Sequence, residues 1–489
     1  MAEESSGPPD PPRRLTRRVL FVLCVINLVD CINTTILVPY VDAMVSRLLD
    51  VPRGDPKVAT WVSILTGSYS VCEVLFSGLW GMLSDRIGRR PVLLIGIAGS
   101  IAAPLLFGQA QSLPAALAAR LLDGFFCGNV GVTRTYLGEL VDPSNEAQAF
   151  GMLALCFSVG IFIGPLLGGL LSEPMSWAPN FFEGTIFERN PYLLPNLAYA
   201  CFAVLALVIG FFSLQETHTP RRRGRRDEDP RAVPLSGAPA EVAAAAPPPE
   251  RSSIFSPGVL RILGAYGLLS GYVAGRLQGF ILVLSLPRSM DGLAIGPKAF
   301  GGFQVCAAVS IMLTQTLFYN RGIKRFGPHR CFRVGVWLTI LLNIPFPLYG
   351  LLADPDRYGF WRYVPLGLYQ GISQVGFTFC FPTIFMLTNR ECNKQNRGAV
   401  NGWSNSMGAL FRGLFPFAAG GLFSLGCHLE RYHLAGGRYL VFYMLPVAGA
   451  ASSWLIGRQA KAELAAKQRL QNEIQAQQAE AELGRLAGA

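Results

Sequence analysis

The sequence GMLSDRIGRR, from Gly81 to Arg90, lies between two long apolar stretches and is short enough to be a single connection between them. Its charged side chains are Asp85, Arg86, Arg89 and Arg90. Gly81 and Gly88 permit a tight turn, because glycine adopts positive φ angles without a steric penalty. The charges can bind the ends of neighbouring helices. A basic turn that only orients two helices would explain the arginines, but not both glycines and the aspartate.

The composition of the whole chain indicates a membrane protein. Of its 489 residues, 51% are hydrophobic and only 15% are charged, which leaves too little polar surface for a water-soluble protein of this size. About twelve apolar stretches recur, each roughly 20 residues long and able to cross a hydrocarbon core of roughly 30 Å. They begin near Val19, Val58, Pro91, Pro114, Gln148, Leu193, Pro257, Lys298, Cys331, Tyr363, Gly398 and Arg438. The sequence predicts an all-α membrane protein with twelve transmembrane helices.

The net charge of +11 is concentrated on one side of the predicted helices. Basic residues cluster before the first stretch and after the second, sixth and eighth, and these positions share one side if the stretches alternate in direction. The positive-inside rule therefore predicts cytosolic termini and a cytosolic central connection, and this distribution argues against a nucleic-acid partner. The first stretch lacks a small-residue cleavage site, so we expect a retained helix and not a signal peptide. Plasma membrane and vacuole-like membrane both fit the sequence.

A change in composition divides the stretches six and six. The segment 215–256 is rich in arginine and then in proline and alanine, which predicts a disordered linker. The two halves have similar spacing, because Pro165 follows Gly151 at the same interval as Pro416 follows Gly402. We expect two six-helix bundles with a site between them near the membrane midplane. The predicted parts are a cytosolic tail 1–18, a bundle 19–214, the linker 215–256, a bundle 257–458 and a cytosolic tail 459–489.

Several motifs resemble those of one transporter family. The pattern Gly-x-x-x-Asp-Arg-x-Gly-Arg-Arg of Gly81–Arg90 is similar to the cytoplasmic loop signature of the major facilitator superfamily. RLLDG at Arg120–Gly124 and GPLLGG at Gly164–Gly169 resemble the fourth-helix and fifth-helix motifs of proton-coupled drug antiporters. The segments Gly128–Leu140 and Ala178–Leu197 look most like the zinc-induced facilitator-like branch. The resemblance implies a proton-coupled exporter of small organic solutes, with metal chelators, ions or hormone-like acids as family precedents.

Six ionisable residues lie at membrane depth, where each is a functional candidate because a charge in hydrocarbon is costly. They are Asp30, Glu73, Arg120, Asp123, Arg276 and Arg412. Asp30 is the first choice for proton coupling, since a carboxylate in a cavity can bind a proton on one side of the membrane and release it on the other. A structural hydrogen bond at a helix interface is the alternative. Glu73 is a further proton-coupling candidate, for which the resemblance implies no role.

Arg120 and Asp123 lie three residues apart and therefore share a helix face. They can pair with each other, which would suffice to explain both, or act on a proton and the substrate. The resemblance implies that Arg120 takes part in proton relay. Arg412 and Arg276 are candidate partners for an anionic substrate, although Arg276 can equally lie near a helix end and extend its charge to the interface.

The predicted cytosolic gate consists of Gly81, Asp85, Arg86, Gly88, Arg89, Arg90 and Arg134. We expect Asp85 to accept hydrogen bonds from free N–H groups near Asn401 and Gly402, at the start of the eleventh helix, and to pair with Arg134. This contact would favour the outward-facing state, because it exists in only one of the two states.

The predicted antiporter-motif helix carries Gly160, Gly164, Pro165, Gly168 and Gly169. Its glycines form a small-residue face that would let a helix from the other half approach closely, and Pro165 would bend the helix. Ordinary helix packing without a coupling role is the alternative.

Predicted residues of the substrate cavity are Asn33, Tyr69, Phe157, Phe381, Trp403 and Arg412, with Phe377 as a further aromatic candidate. Such a lining fits an apolar or amphipathic organic substrate better than a naked metal ion, which prefers clustered carboxylates, imidazoles or thiolates. The 11 cysteines and 4 histidines are scattered, so no metal site is predicted, and no cofactor either. A metal could still travel as a chelate.

The sequence thus predicts a secondary active transporter, which exchanges protons for a small organic solute or chelate by alternating access. Its expected partners are the small-molecule substrate, protons and the lipid bilayer, and we expect a monomer. The alternatives are a facilitative uniporter and a non-transporting receptor or scaffold with the same fold. An enzyme is not expected, because the chain has no phosphate-binding Gly-rich loop, no Gly-x-Ser-x-Gly and no His-Glu-x-x-His.

Overall fold

The computed structural model describes residues 16–52, 56–142, 145–217, 256–285, 295, 297–346, 361, 363–393, 396–430 and 436–487. Within these ranges the chain is built from helices and contains no β-strand, as the sequence predicts. The first six membrane helices are α1 (Arg17–Ile36), α2 (Pro56–Ile87), α3 (Arg89–Gly108), α4 (Leu113–Phe125 and Asn129–Leu140), α5 (Glu146–Leu171) and α6 (Leu193–Ser213).

The second six membrane helices follow the central connection. They are α7 (Pro257–Ser285), α8 (Pro297–Thr314 and Asn320–Phe326, joined by a π-helical turn at Gln315–Tyr319), α9 (Pro328–Asn343), α10 (Tyr363–Glu391), α11 (Arg397–Glu430) and α12 (Pro446–Ala487). Short helical segments lie in the connections at Val41–Leu49, Pro174–Ser176, Pro179–Phe182, Ile186–Arg189, Gly437–Tyr439 and Leu440–Met444.

Eleven helices in the described ranges are long and apolar enough to cross a membrane. The helix not among them, α9, has 16 residues and occupies the ninth predicted position, just before residues 347–360, which the structure does not describe. The all-α fold with twelve membrane helices is confirmed. The linker prediction falls mainly on residues 218–255, which lie outside the described residues.

The helix pairings of the first half recur in the second half. α1 packs against α5, α2 against α4 and α3 against α6, while α7 packs against α11, α8 against α10 and α9 against α12. The second half has its own apolar core, which extends from Ile262 to Ile456 and takes no residue from the first half. The halves meet chiefly where α2 packs on α11, with further contacts of α5 on α8 and α10.

The connection between α2 and α3 consists of Gly88 alone, with a φ of 105°. Gly327 has a φ of 75° at the equivalent connection between α8 and α9. A residue with a Cβ atom would be strained at both positions. The prediction that Gly81 also belongs to this turn is wrong, because α2 continues through Gly81 to Ile87. The connections α2–α3 and α8–α9 lie on the same side of the membrane. We call this side the basic side.

Candidate transport pathway

The two halves are in closest contact at the basic side, where glycines of α2 and α11 face each other. A Cβ atom at Gly81 would overlap the carbonyl oxygen of Gly398, and one at Gly402 would lie 2.5 Å from the carbonyl oxygen of Ser77. Gly81 is therefore required for the close approach of two helices, and not for the turn.

α2 and α11 separate toward the opposite side of the membrane. Gly67 precedes Gly78 by about three helical turns and so lies on the same face of α2, and Gly413 is related to Gly402 in the same way on α11. A Cβ atom at Gly78 would lie 2.9 Å from the Trp403 ring, whereas one at Gly67 or Gly413 would have no described neighbour within 4 Å. The structure is closed on the basic side and open on the other.

Asp85 joins the halves through the N-terminus of α11. Its Oδ1 atom accepts a hydrogen bond from the Gly398 N–H at 3.0 Å, and its Oδ2 atom accepts one from the Ala399 N–H at 2.7 Å. The prediction placed this contact near Asn401 and Gly402. The difference arises because α11 begins at Arg397, so its free N–H groups come earlier in the chain.

Arg89 is the guanidinium that binds Asp85, at 2.8 Å, and it also binds Glu139 at 2.8 Å. Its side chain is fully buried. The predicted pairing of Asp85 with Arg134 is wrong, because Arg89 already occupies this carboxylate and Arg134 lies in α4 over the ring of Phe385, with its Cζ atom 3.6 Å from the ring centroid.

The other charges of the connection have separate contacts. Glu216, just after α6, accepts hydrogen bonds from the Arg89 and Arg90 N–H groups at 2.9 and 3.1 Å, and so caps α3. Arg90 donates through Nη2 to the Phe211 carbonyl at 2.8 Å, while Arg86 is exposed. Sequence reasoning missed Glu216, since an acid at the end of an apolar stretch looks solvated.

Two further contacts close the basic side, and sequence reasoning missed both. Arg390 of α10 donates through Nε to Glu146 Oε2 of α5 at 2.8 Å. Arg397 of α11 donates through Nη1 to the Gly138 carbonyl of α4 at 2.6 Å. These residues lie at helix ends, where charges usually face water, so only the packing of the halves shows their pairing.

Deeper in the membrane, the first half contains an acidic cluster, which consists of Asp30, Asn33, Arg120, Asp123 and Asn129. Arg120 Nη1 lies 2.6 Å from Asp123 Oδ2, and Asn33 Nδ2 donates to Asp123 Oδ1 at 2.7 Å. The sequence left two interpretations open, and the structure shows the one in which Arg120 and Asp123 pair with each other. The ring of Tyr69 lies 4.9 Å from Arg120 Cζ.

Asp30 is the carboxylate of the acidic cluster that has no guanidinium partner among the described residues. Its Oδ1 atom accepts a hydrogen bond from Asn129 Nδ2 at 3.3 Å. Its Oδ2 atom is buried and has no hydrogen-bond partner in the described chain. The acidic cluster thus contains one guanidinium and two carboxylates. Arg120 pairs with Asp123, so Asp30 is left without a counter-charge.

Between the halves lies an arginine cluster, which consists of Glu73, Arg134, Tyr266 and Arg412. Arg412 Nη2 lies 2.7 Å from Glu73 Oε1, and Arg412 Nη1 donates to the Tyr266 hydroxyl at 3.4 Å. Glu73 Oε1 also accepts a hydrogen bond from Asn405 Nδ2 at 3.0 Å. This ion pair crosses from α2 to α11 at the level where the two helices begin to separate.

Arg276 lies between α7 and α10 with its side chain 2% exposed. Its Nη1 atom donates to Ser373 Oγ at 3.4 Å, and its Cζ atom lies 5.5 Å from the Phe377 ring centroid. The alternative in which Arg276 reaches the membrane interface is wrong, because the side chain is enclosed by the second half.

Of the predicted cavity aromatics, Phe381 packs edge-on to Tyr266 at 6.4 Å and so lies beside the arginine cluster. Phe157 is 43% exposed. Trp403 instead packs against a small apolar cluster that includes Val259 and Leu263 of α7, and against the backbone of Gly78, so its prediction as a cavity wall is wrong. No group of three or more His, Cys, Asp or Glu side chains that could hold a metal ion is found within the described ranges.

The glycines of α5 face α1 of their own half. A Cβ atom at Gly160 would lie 2.6 Å from Cys31 Cβ, one at Gly164 would overlap the Thr35 hydroxyl, and Gly168 is equally close to the Ile36 carbonyl. Gly169 lies at the edge of this contact, and Pro165 is accommodated within the helix. The expectation that this face receives a helix of the other half is wrong, because α1 already occupies it.

Comparison with known proteins gives consistent results. The family model described as Major Facilitator Superfamily matches residues 23–416. The major facilitator superfamily multidrug transporter mfsB of Aspergillus fumigatus is 29% identical over 484 aligned residues, covering 84% of this chain and 79% of its own. Protein ZINC INDUCED FACILITATOR-LIKE 1 of Arabidopsis thaliana is 25% identical over 430 residues, covering 88% of each chain.

A solved structure shares the fold. The crystal structure of the human organic anion transporter MFSD10 (TETRAN) matches with a TM-score of 0.66 and 20% sequence identity, covering 91% of this chain and 100% of that chain. The resemblance to drug transporters and to zinc-induced facilitator-like proteins is thus confirmed. Relatives of this kind are transporters and not enzymes. Since the family model covers most of the chain, this protein belongs to the major facilitator superfamily.

Proposed function

We propose that the protein is a proton-coupled antiporter that moves a small organic solute or a metal chelate by alternating access. The observation that carries this proposal is the uncompensated carboxylate of Asp30 at membrane depth. An ionised carboxylate without a counter-charge is costly there, and a bound proton removes that cost. Asp123, which Arg120 and Asn33 already satisfy, has no comparable reason to bind a proton.

Alternating access is supported by the asymmetry between the two membrane sides. α2 and α11 are in contact at the basic side and apart on the other side, as expected of one of two exchanging states. If the positive-inside rule applies, the basic side and both termini are cytosolic, and the structure is outward-facing. The Asp85 contact with α11 then acts as the cytosolic gate that holds this state.

The lining of the cluster and the relatives support the proposed substrate class. The arginine cluster is bordered by aromatic side chains, including Phe381 and Phe385, which suit an organic molecule. The Aspergillus relative is named as a multidrug transporter, which also favours organic substrates. We further propose that the protein acts as a monomer in the plasma membrane or a vacuole-like membrane.

The test is transport by the purified full chain in proteoliposomes with an imposed pH gradient. A panel of metabolites and metal chelates first identifies a compound that wild type moves against its gradient. Asp30→Asn should abolish this proton-driven flux. Asp42→Asn, which removes an exposed acid outside the membrane helices, is the matched control and should leave the flux unchanged.

Other outcomes would contradict the proposal. Proton-driven flux that persists in Asp30→Asn would exclude Asp30 as the proton carrier. Downhill flux without any response to the pH gradient in wild type would indicate a facilitative uniporter. If wild type moves no compound of the panel, a non-transporting receptor or scaffold is favoured.

A further inference from the structure

The arginine cluster contains two guanidinium groups and one carboxylate. Arg412 binds Glu73 at 2.7 Å and donates to the Tyr266 hydroxyl at 3.4 Å. Arg134 lies on another side of the same tyrosine, with its Cζ atom 5.7 Å from the ring centroid. Two positive charges therefore face a single negative charge, and one positive charge is in excess.

The excess charge belongs to Arg134. Its side chain is 6% exposed, and it forms no ion pair with any residue in the described part of the chain. Its Nη1 atom is buried and has no hydrogen-bond partner there. The ring of Phe385, 3.6 Å from Arg134 Cζ, stabilises the cation from one face. The N–H donors of Nη1 need an acceptor, because a buried donor without one is costly.

Arg412 is the more accessible of the two guanidiniums. Its side chain is 37% exposed, although it forms the ion pair with Glu73. It lies next to Gly413, which faces the open side of the structure. A solute that enters from the open side therefore meets Arg412 first, and Arg134 lies beyond Tyr266 on the closed side.

We propose that Arg134, Arg412 and Tyr266 bind the carboxylate of a singly charged organic anion, and that Glu73 occupies Arg412 when this anion is absent. This inference rests on the proposed function and names the charge of its substrate. Guanidinium groups bind carboxylates through parallel N–H donors, which suits both arginines. When the anion binds, Glu73 yields Arg412 and keeps its hydrogen bond from Asn405 Nδ2.

The charges balance only with the anion present. Glu73 and the substrate carboxylate then oppose the charges of Arg134 and Arg412, and the unpaired Nη1 atom gains an acceptor. Glu73 acts as a competitor within the protein, because it already binds Arg412 in this open structure and can take Arg412 again when the anion leaves. No covalent step is involved.

The test uses two probes of the same shape, 2-naphthoate and its neutral amide 2-naphthamide, with binding to the purified full chain measured by calorimetry. Wild type should bind 2-naphthoate about tenfold or more tightly than 2-naphthamide, as expected for charge-assisted hydrogen bonds. Arg134→Gln should remove this preference without weakening 2-naphthamide, and Arg134→Lys should keep part of it. Glu73→Gln should tighten 2-naphthoate binding several-fold and leave 2-naphthamide unchanged.

The matched control is Arg321→Gln, which removes an exposed guanidinium of α8 and should change neither probe. A merely structural role of Arg134 would weaken both probes equally in Arg134→Gln, and this result would overturn the proposal. Equal binding of the two probes by wild type, or no binding of 2-naphthoate, would overturn it as well. These measurements need no pH gradient, so a failure of proton coupling through Asp30 would not affect them, and the two proposals can fail separately.

Discussion

The acidic cluster and the arginine cluster are both buried at membrane depth, but they leave opposite charges without a partner. In the acidic cluster Arg120 pairs with Asp123, and Asp30 remains. In the arginine cluster Glu73 pairs with Arg412, and Arg134 remains. An unpaired carboxylate is satisfied by a proton and an unpaired guanidinium by an anion. On the proposed function, the proton and the organic anion would therefore bind at different places in one molecule.

The largest expected effect comes from breaking the compensated pair of the acidic cluster. Arg120→Gln leaves Asp123 buried without its counter-charge and should destabilise the protein by about 3–5 kcal/mol. The measurement is the free energy of unfolding in detergent. The double variant Arg120→Gln/Asp123→Asn removes both charges and should recover most of the loss. A single variant as stable as wild type would show that the pair does not hold this cluster together.

The two aspartates of the acidic cluster should respond differently to the same substitution. Asp123→Asn leaves Arg120 unpaired and should cost about 3 kcal/mol of stability or more. Asp30→Asn removes an uncompensated charge and keeps an acceptor for Asn129, so the change should stay within about 1 kcal/mol. Measuring the free energy of unfolding of both variants under the same conditions checks this prediction. Equal losses would mean that Asp30 is as well compensated as Asp123, and the contrast between the clusters would disappear.

The proposed gate at the basic side should respond less strongly to substitution. Asp85→Asn weakens the hydrogen bonds to Gly398 and Ala399 and should shift the balance from the closed to the open basic side by about 1.5–3 kcal/mol. Spin labels at the exposed positions Arg86 and Arg330 would report the shift as a second, longer distance. Transport should fall, whereas membrane insertion should not. A distance distribution identical to that of wild type would exclude Asp85 as the gate.

Much of this architecture was predictable from the sequence. Long apolar stretches and the positions of glycine and charge gave the helices and the contact of Asp85 with the start of α11, since a carboxylate after a helix turn has few other partners within reach. Even here the sequence did not show at which residue α11 begins. It therefore placed the contact near Asn401, whereas the structure has it at Gly398 and Ala399.

The sequence did not show which neighbouring helix the glycine face of α5 packs against, or which way the Arg134 side chain points. The glycines of α5 predicted a close helix contact, but the spacing of small residues is the same whether the neighbour is α1 or a helix of the other half. Arg134 was predicted to pair with Asp85 because it follows the fourth apolar stretch toward the basic side, although its side chain extends inward to Tyr266 and Phe385. A long side chain can reach either way along a helix, and only the packed structure decides.

The smallest expected effects come from alanine substitutions at two glycines on one face of α2. Gly81→Ala would place a methyl group against the Gly398 carbonyl, so it should destabilise the closed basic side. Gly67→Ala places its methyl group in open space and should instead stabilise α2 by about 0.5–1 kcal/mol, because alanine is the better helix former. If α2 and α11 exchange between two states, Gly67 must approach α11 when the open side closes. Gly67→Ala should then slow transport while the spin-label distance at the basic side remains that of wild type, and unaltered transport would show that this end of α2 does not close on α11.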